Sequence, residues 1–133
     1  MSTLPPHRFT VTRADLVRYA GAAGDFNPIH YSDRVATAVG LPGVIAHGML
    51  TMALTGNAVA AWAGGVGNVL EFAVRFTRPV VVPDDDTGVQ LEVTGELGDT
   101  TPEGTATITL TCTCNGEKVL GAARAVVRRS GPT

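Results

Sequence analysis

Apolar and polar positions alternate with a period of two over residues 69–78, where Leu70, Phe72, Val74 and Phe76 oppose Glu71, Arg75 and Thr77. That is the pattern of a strand buried on one side. Residues 89–97 repeat it, with Val89, Leu91, Val93 and Leu97 opposing Gln90, Glu92, Thr94 and Glu96. Pro83 and the acidic run Asp84 to Asp86 mark a solvated loop between the two. Two further strands flank Asn115-Gly116, a dipeptide suited to a two-residue type I′ turn. Such a turn pairs Cys112 with Val119, Leu110 with Gly121, Ile108 with Ala123 and Ala106 with Ala125, each pair of residue numbers summing to 231. Larger side chains then face Gly and Ala across the pair, and Thr105 to Thr113 at odd positions form the outer face.

A different period governs residues 48–64. Met49, Leu50, Met52, Leu54, Val59 and Trp62, separated by Ala and Gly, give a helix apolar on every side, which predicts burial. Thr51 and Thr55 stand one turn apart and are expected to bond preceding carbonyls. Asn57 is expected to bond a neighbouring strand in preference to touching a substrate. Upstream, residues 8–12 read as a first strand. Thr12 and Asp15 then form a capping box for a helix through Leu16, Val17, Tyr19 and Ala20, ended by Gly21 to Gly24. Ser32 caps a short helix over residues 33–39, stopped by Gly40 and Pro42. Residues 13–43 are thus a helical excursion between the first strand and the long helix. The whole reads as an α+β chain, helix against antiparallel sheet.

Composition narrows the function classes. At 133 residues, with no internal repeat, one domain is expected. The net charge of −2, with only Arg128 and Arg129 adjacent in the tail, offers no footprint for nucleic acid or an anionic membrane. The opening MSTLPPHRF lacks the pattern of a signal peptide and the apolar helix is too short to span a bilayer, so a soluble cytoplasmic protein is expected. Cys112 and Cys114 point the same way along one strand, where a mutual disulfide is geometrically poor, and read as small core residues. His7, His30 and His47 show neither an i, i+4 pairing nor a carboxylate cluster around them, so no metal site is expected.

The candidate chemistry lies in GDFNPIH, residues 24–30, which gathers Asp25, Asn27 and His30 in one turn. Pro28 fixes its own φ and pushes Asn27 out of helical conformation, while Gly24 tolerates dihedrals that other residues avoid. Taken alone, these residues suit an ordinary turn. AHGM at residues 46–49 changes the balance, because Gly48 opens the long helix. Its N–H has no helical partner, no side chain blocks approach to it, and the positive end of the helix dipole favours a carbonyl oxygen or oxyanion there. Together the two stretches resemble the MaoC-like dehydratases, or (R)-specific enoyl-thioester hydratases, whose signature G-D-x-N-P-hydrophobic-His is followed by H-G-M at the start of a central helix. The resemblance runs from Tyr19 through the strands. It is similar, within that family, to the catalytic subunit of (3R)-hydroxyacyl-ACP dehydratases. The loop PVVVPDDDTG, residues 79–88, departs from the family's P-V-x-x-G-D form.

The resemblance implies a single hot-dog domain over residues 1–133, an antiparallel sheet wrapped around a central buried helix. Its overhang, residues 13–43, carries the catalytic turn, with the helix at about residues 48–64 and strands within residues 69–128. It implies a hydro-lyase that interconverts a (3R)-hydroxyacyl thioester and a trans-2-enoyl thioester plus water. Asp25 and His30 would activate water and transfer the proton, the Gly48 N–H would hold the thioester oxygen, and Asn27 would orient the turn or the water. No cofactor is implied beyond the coenzyme A or acyl carrier protein that bears the acyl group. The expected assembly is a homodimer, or a heterodimer with a related hot-dog subunit. Three alternatives stay open: a non-catalytic acyl-thioester-binding subunit, a biosynthetic enzyme using the same pair for conjugate addition or isomerisation, and a thioesterase. Residues 48–64 lack the carboxylate that a hot-dog thioesterase usually places on that helix.

Overall fold

The computed structural model describes residues 1–129, and in it the alternating segments pair into one antiparallel sheet. The chain runs through β1 (Ser2–Val11), α1 (Arg13–Ala23), a 3₁₀ turn (Pro28–His30), α2 (Asp33–Ala38) and α3 (Gly48–Ala63). Then follow β2 (Val69–Phe76), β3 (Val89–Leu97), β4 (Thr105–Cys114), the two-residue β5 (Glu117–Lys118) and β6 (Leu120–Arg128). Sheet order is β1-β3-β4-β6-β2, with β5 beside β4. This is the hot-dog arrangement that the resemblance implies, with α3 packed against the sheet.

Strand β1 starts well before the expected residues 8–12, and Thr12 lies beyond its end. Pro5 and Pro6 read locally as a stop, since proline has no N–H to give a ladder. Here they sit on an edge strand, at a register irregularity between Leu4 and His7, so the missing donors cost no pairing. The capping box forms as expected: the Thr12 hydroxyl accepts from the Asp15 N–H and the Asp15 carboxylate accepts from the Thr12 N–H. Gly24, at φ 70°, closes α1 in the left-handed conformation.

The hairpin follows expectation only near its turn. Asn115 and Gly116 have φ of 53° and 79°, as a type I′ turn requires. Thr113 pairs with Lys118 and Cys114 with Glu117, and the Val119 N–H donates to the Cys112 carbonyl. Further out the register slips by two, so that Ile108 pairs with Ala125 and Ala106 with Val127, not with Ala123 and Ala125. Leu110 does not pair with Gly121, which instead faces Arg75 of β2. The surplus residues lie around Ala122, at φ 47°. β6 must also pair with β2, and a methyl on Gly121 would meet Thr77 at 2.7 Å. Because the slip is even, inward residues stay inward: Ile108, Cys112, Ala125 and Val127 are all fully buried.

Helix α3 buries Thr51, Thr55, Ala58, Val59 and Ala63 against this sheet. Its far end is seated by Trp62, whose ring lies where a side chain on Gly95 would come within 2.9 Å. The Trp62 indole N–H donates to the Pro5 carbonyl at 2.8 Å. Yet one stripe, Met49, Ala53, Asn57 and Ala61, is exposed, and Leu70 and Phe76 on edge strand β2 are also exposed. Burial of this all-apolar helix is therefore one-sided within the chain. Asn57, on that stripe, makes no side-chain hydrogen bond among the described residues, in contrast to the strand contact expected of it. Among the described residues no helix is long and apolar enough to cross a membrane.

Candidate active site

The excursion between β1 and α3 is pinned by a single arginine. Arg13 donates from Nε to the Val82 carbonyl at 2.6 Å and pairs with both carboxylate oxygens of Asp33. Asp33 in turn accepts from the Val44 N–H at 2.9 Å. That backbone bond and the Arg13 guanidinium hold the Asp33 carboxyl below its ordinary range. Residues 44–46 are thereby fixed beside Val80 to Val82, where the Ala46 N–H donates to Val80 and the Val82 N–H donates to Val44. They lead directly into α3.

Within this frame the turn closes as its sequence dictates. Asp25 follows the cap of α1, and its Oδ1 accepts from the Asn27 N–H at 3.3 Å. Asn27 caps the 3₁₀ turn, its Oδ1 accepting from the Ile29 N–H at 3.2 Å. The Asn27 amide oxygen is therefore committed to the backbone, an orienting position. His30 is nearly buried, and its Nδ1 lies 2.7 Å from the Ile45 carbonyl. A carbonyl only accepts, so Nδ1 carries the hydrogen and, in the neutral ring, Nε2 is the acceptor.

One carboxylate oxygen of Asp25 and one ring nitrogen each of His30 and His47 lie within 4.8 Å of one another. The cluster around His30 and His47 that the sequence spacing failed to reveal thus exists in space. The two imidazoles stack at 3.8 Å and 22°.

Gly48 is the first residue of α3, and its N–H has no partner within the helix. His47 caps the helix without a side-chain bond to its amides, so that end stays open. Gly48 and His30 line one cavity of about 360 Å³, together with Thr51, Phe76, Arg78 and Val119. Its walls are mostly apolar. Asp25 and Asn27 do not line it; Asp25 reaches the site through its carboxylate near His30. Thr55 donates to the Thr51 carbonyl, as expected, whereas the side chain of Thr51 makes no such bond and Thr51 faces the cavity. Cys112 and Cys114 are free and buried, and burial raises both thiols.

Neither His47 nor Thr51 is expected from the sequence to take part in catalysis. The only signal for His47 was its place beside Gly48 in H-G-M, since its partners Tyr19, Asp25 and His30 are all distant in the chain.

Comparison with known proteins gives the family of the chain. Residues 2–113 match a family model described as MaoC like domain. The 3-hydroxyacyl-thioester dehydratase X of Mycobacterium tuberculosis is 41% identical over 83 residues, 60% of this chain and 28% of that protein. The 3-hydroxybutyryl-CoA dehydratase of Methylorubrum extorquens is 31% identical over 120 residues, 89% of this chain and 73% of that protein. A solved MaoC-like dehydratase superposes with a TM-score of 0.92 at 42% identity, covering 97% of this chain and 40% of that one. The chain spans well under half the length of the first of these relatives and of the solved structure.

Proposed function

The chain belongs to the family described as MaoC like domain, and from that premise we propose that it catalyses reversible hydration of a trans-2-enoyl thioester to a (3R)-3-hydroxyacyl thioester. The observation that carries the reading is the meeting of a His30 ring nitrogen with the Asp25 carboxylate, beside a cavity that His30 shares with the open N–H of Gly48. Water held by Asp25 and His30 gives up a proton as its oxygen attacks the β-carbon. Charge then moves to the thioester oxygen, which the Gly48 N–H stabilises, and a proton returns to the α-carbon. Which of the two groups holds the mobile proton is a property of the pair. Asn27 keeps the turn in shape. The chemistry calls on no cofactor beyond the coenzyme A or carrier-protein thioester of the substrate itself.

The relatives' names support a dehydratase, and α3 carries no Asp or Glu with which to hydrolyse the thioester. The exposed stripe of α3 and the free edge of β2 support pairing with a second hot-dog unit, either another copy or a related chain. The test is the loss of enoyl absorbance when the purified protein meets a trans-2-enoyl-CoA. Catalytic loss is expected; binding without loss contradicts a catalyst and leaves an acyl-thioester-binding subunit.

A further inference from the structure

His47 is 2% exposed and packs against three groups at once. Its ring stacks on His30 from the 3₁₀ turn, meets the Tyr19 ring of α1 at 4.7 Å, and places Nε2 3.3 Å from the main-chain carbonyl of Asp25. A carbonyl only accepts, so Nε2 bears the hydrogen and Nδ1 is a bare acceptor. Nδ1 is buried and has no partner among the described residues. Protonating it would bury an N–H with nothing to receive it and would set a cation against the face of His30. The residue is thus held in one tautomer, and its protonation is disfavoured. It also stands at a helix cap, where Ser, Thr, Asp or Asn would ordinarily bond the first amides, and makes no capping bond. The position serves the turn opposite in place of its own helix.

Resting on the hydratase reading above, we propose that His47 is the positioning residue of the catalytic pair, a neutral imidazole that holds the Asp25 main chain with Nε2–H and seats the His30 ring on its face. Two constraints meet in it: the carbonyl fixes where residue 25 lies, and the stacking fixes the plane in which His30 presents Nε2. Neutrality matters because His30 must be free to accept a proton, and a charged neighbour at 3.8 Å would oppose that. Burial pushes the His47 imidazole below its ordinary value, with the nearby His30 adding to the effect and the Asp25 carbonyl and carboxylate opposing it.

The test has an activity-independent arm. Long-range ¹H–¹⁵N spectra of the wild-type protein should show His47 as the neutral Nε2–H tautomer at about pH 7 and above. A charged ring, or Nδ1–H, would overturn the proposal whatever the enzyme does. In the kinetic arm, His47→Phe keeps an aromatic face and loses the donor, and kcat should fall about 10²-fold with KM little changed. His47→Gln restores an N–H donor and should recover part of that loss. On an Asp25→Asn background, His47→Phe should cost almost nothing further, because the partner it positions is already disabled. An equal loss on both backgrounds, or full kcat in both single variants, would overturn the proposal. If the Phe protein does not fold, His47→Gln alone and with Asp25→Asn completes the same cycle. If Asp25→Asn itself leaves turnover unchanged, the hydratase reading fails, and the tautomer still decides whether His47 is the neutral donor to residue 25.

Discussion

The Ile45 carbonyl takes the Nδ1 hydrogen of His30 at 2.7 Å, which makes Nε2 the acceptor of the neutral ring. A main-chain atom thereby chooses the tautomer of a side chain. The Ile45 N–H in turn donates to the Ile29 carbonyl, so the two segments clamp each other on either side of the ring.

His30→Ala and Asp25→Asn should each reduce enoyl-thioester hydration by about 10²–10⁴-fold, the range of acid–base catalysis. Asp25 is exposed, so its substitution should leave thermal unfolding close to wild type. Turnover by the folded variants, set beside their melting curves, checks both statements. Near wild-type rates in either would remove that residue from the chemistry.

Gly48 can be separated into its N–H and its lack of a side chain. His47 already has φ −60° and ψ 131°, a conformation that a following proline accepts, and proline is tolerated at a first helical position. Gly48→Pro should therefore remove the donor with the helix intact and lower turnover by about 10²–10³-fold. Gly48→Ala keeps the N–H, but its methyl would approach the Phe76 ring at 3.2–3.4 Å. That contact asks the Phe76 side chain to shift by only a few tenths of an ångström, so the Ala variant should lose less. Equal losses would mean that crowding, not the N–H, is what matters.

Light scattering coupled to size exclusion should report twice the chain mass for the pure protein, or a monomer that pairs with a related subunit. The exposed Met49, Leu70 and Phe76 along α3 and β2 motivate the expectation. A fully active monomer at micromolar concentration would contradict it.

His47 gives the fold a defined weakness in acid. Its folded value lies below the ordinary 6.5, so the unfolded chain takes up a proton first as pH falls. Above about pH 6.5 this residue has no effect on stability; below it, stability declines until the folded protein also takes up the proton. His47→Phe removes the group and should flatten that decline in urea melts across the acid range. An unchanged slope would mean that His47 titrates alike in both states.

Local chemistry made much of this structure readable from its sequence. The Thr12–Asp15 box, the Ser32 cap and the Asn115-Gly116 turn each involve residues a few positions apart, and each formed. What escaped was set by distant partners. The hairpin slipped because Gly121 had to fit against Thr77 of a strand far earlier in the chain. β1 ran through two prolines because nothing pairs with its outer edge. Asp25, Asn27 and His30 could be named from one turn and Gly48 from one helix start. His47 could not be assigned, since its meaning lies in contacts with Tyr19, Asp25 and His30 that only the folded excursion creates.

The most direct test of the central claim is to turn over a trans-2-enoyl thioester in D₂O with the wild-type protein and with Asp25→Asn, and to analyse the product. Addition of water by the Asp25–His30 pair predicts a (3R)-3-hydroxyacyl thioester carrying one deuterium at the α-carbon, formed by the wild type and nearly absent with the variant. Free acid and thiol, the (3S) product, or equal product from both proteins would contradict it.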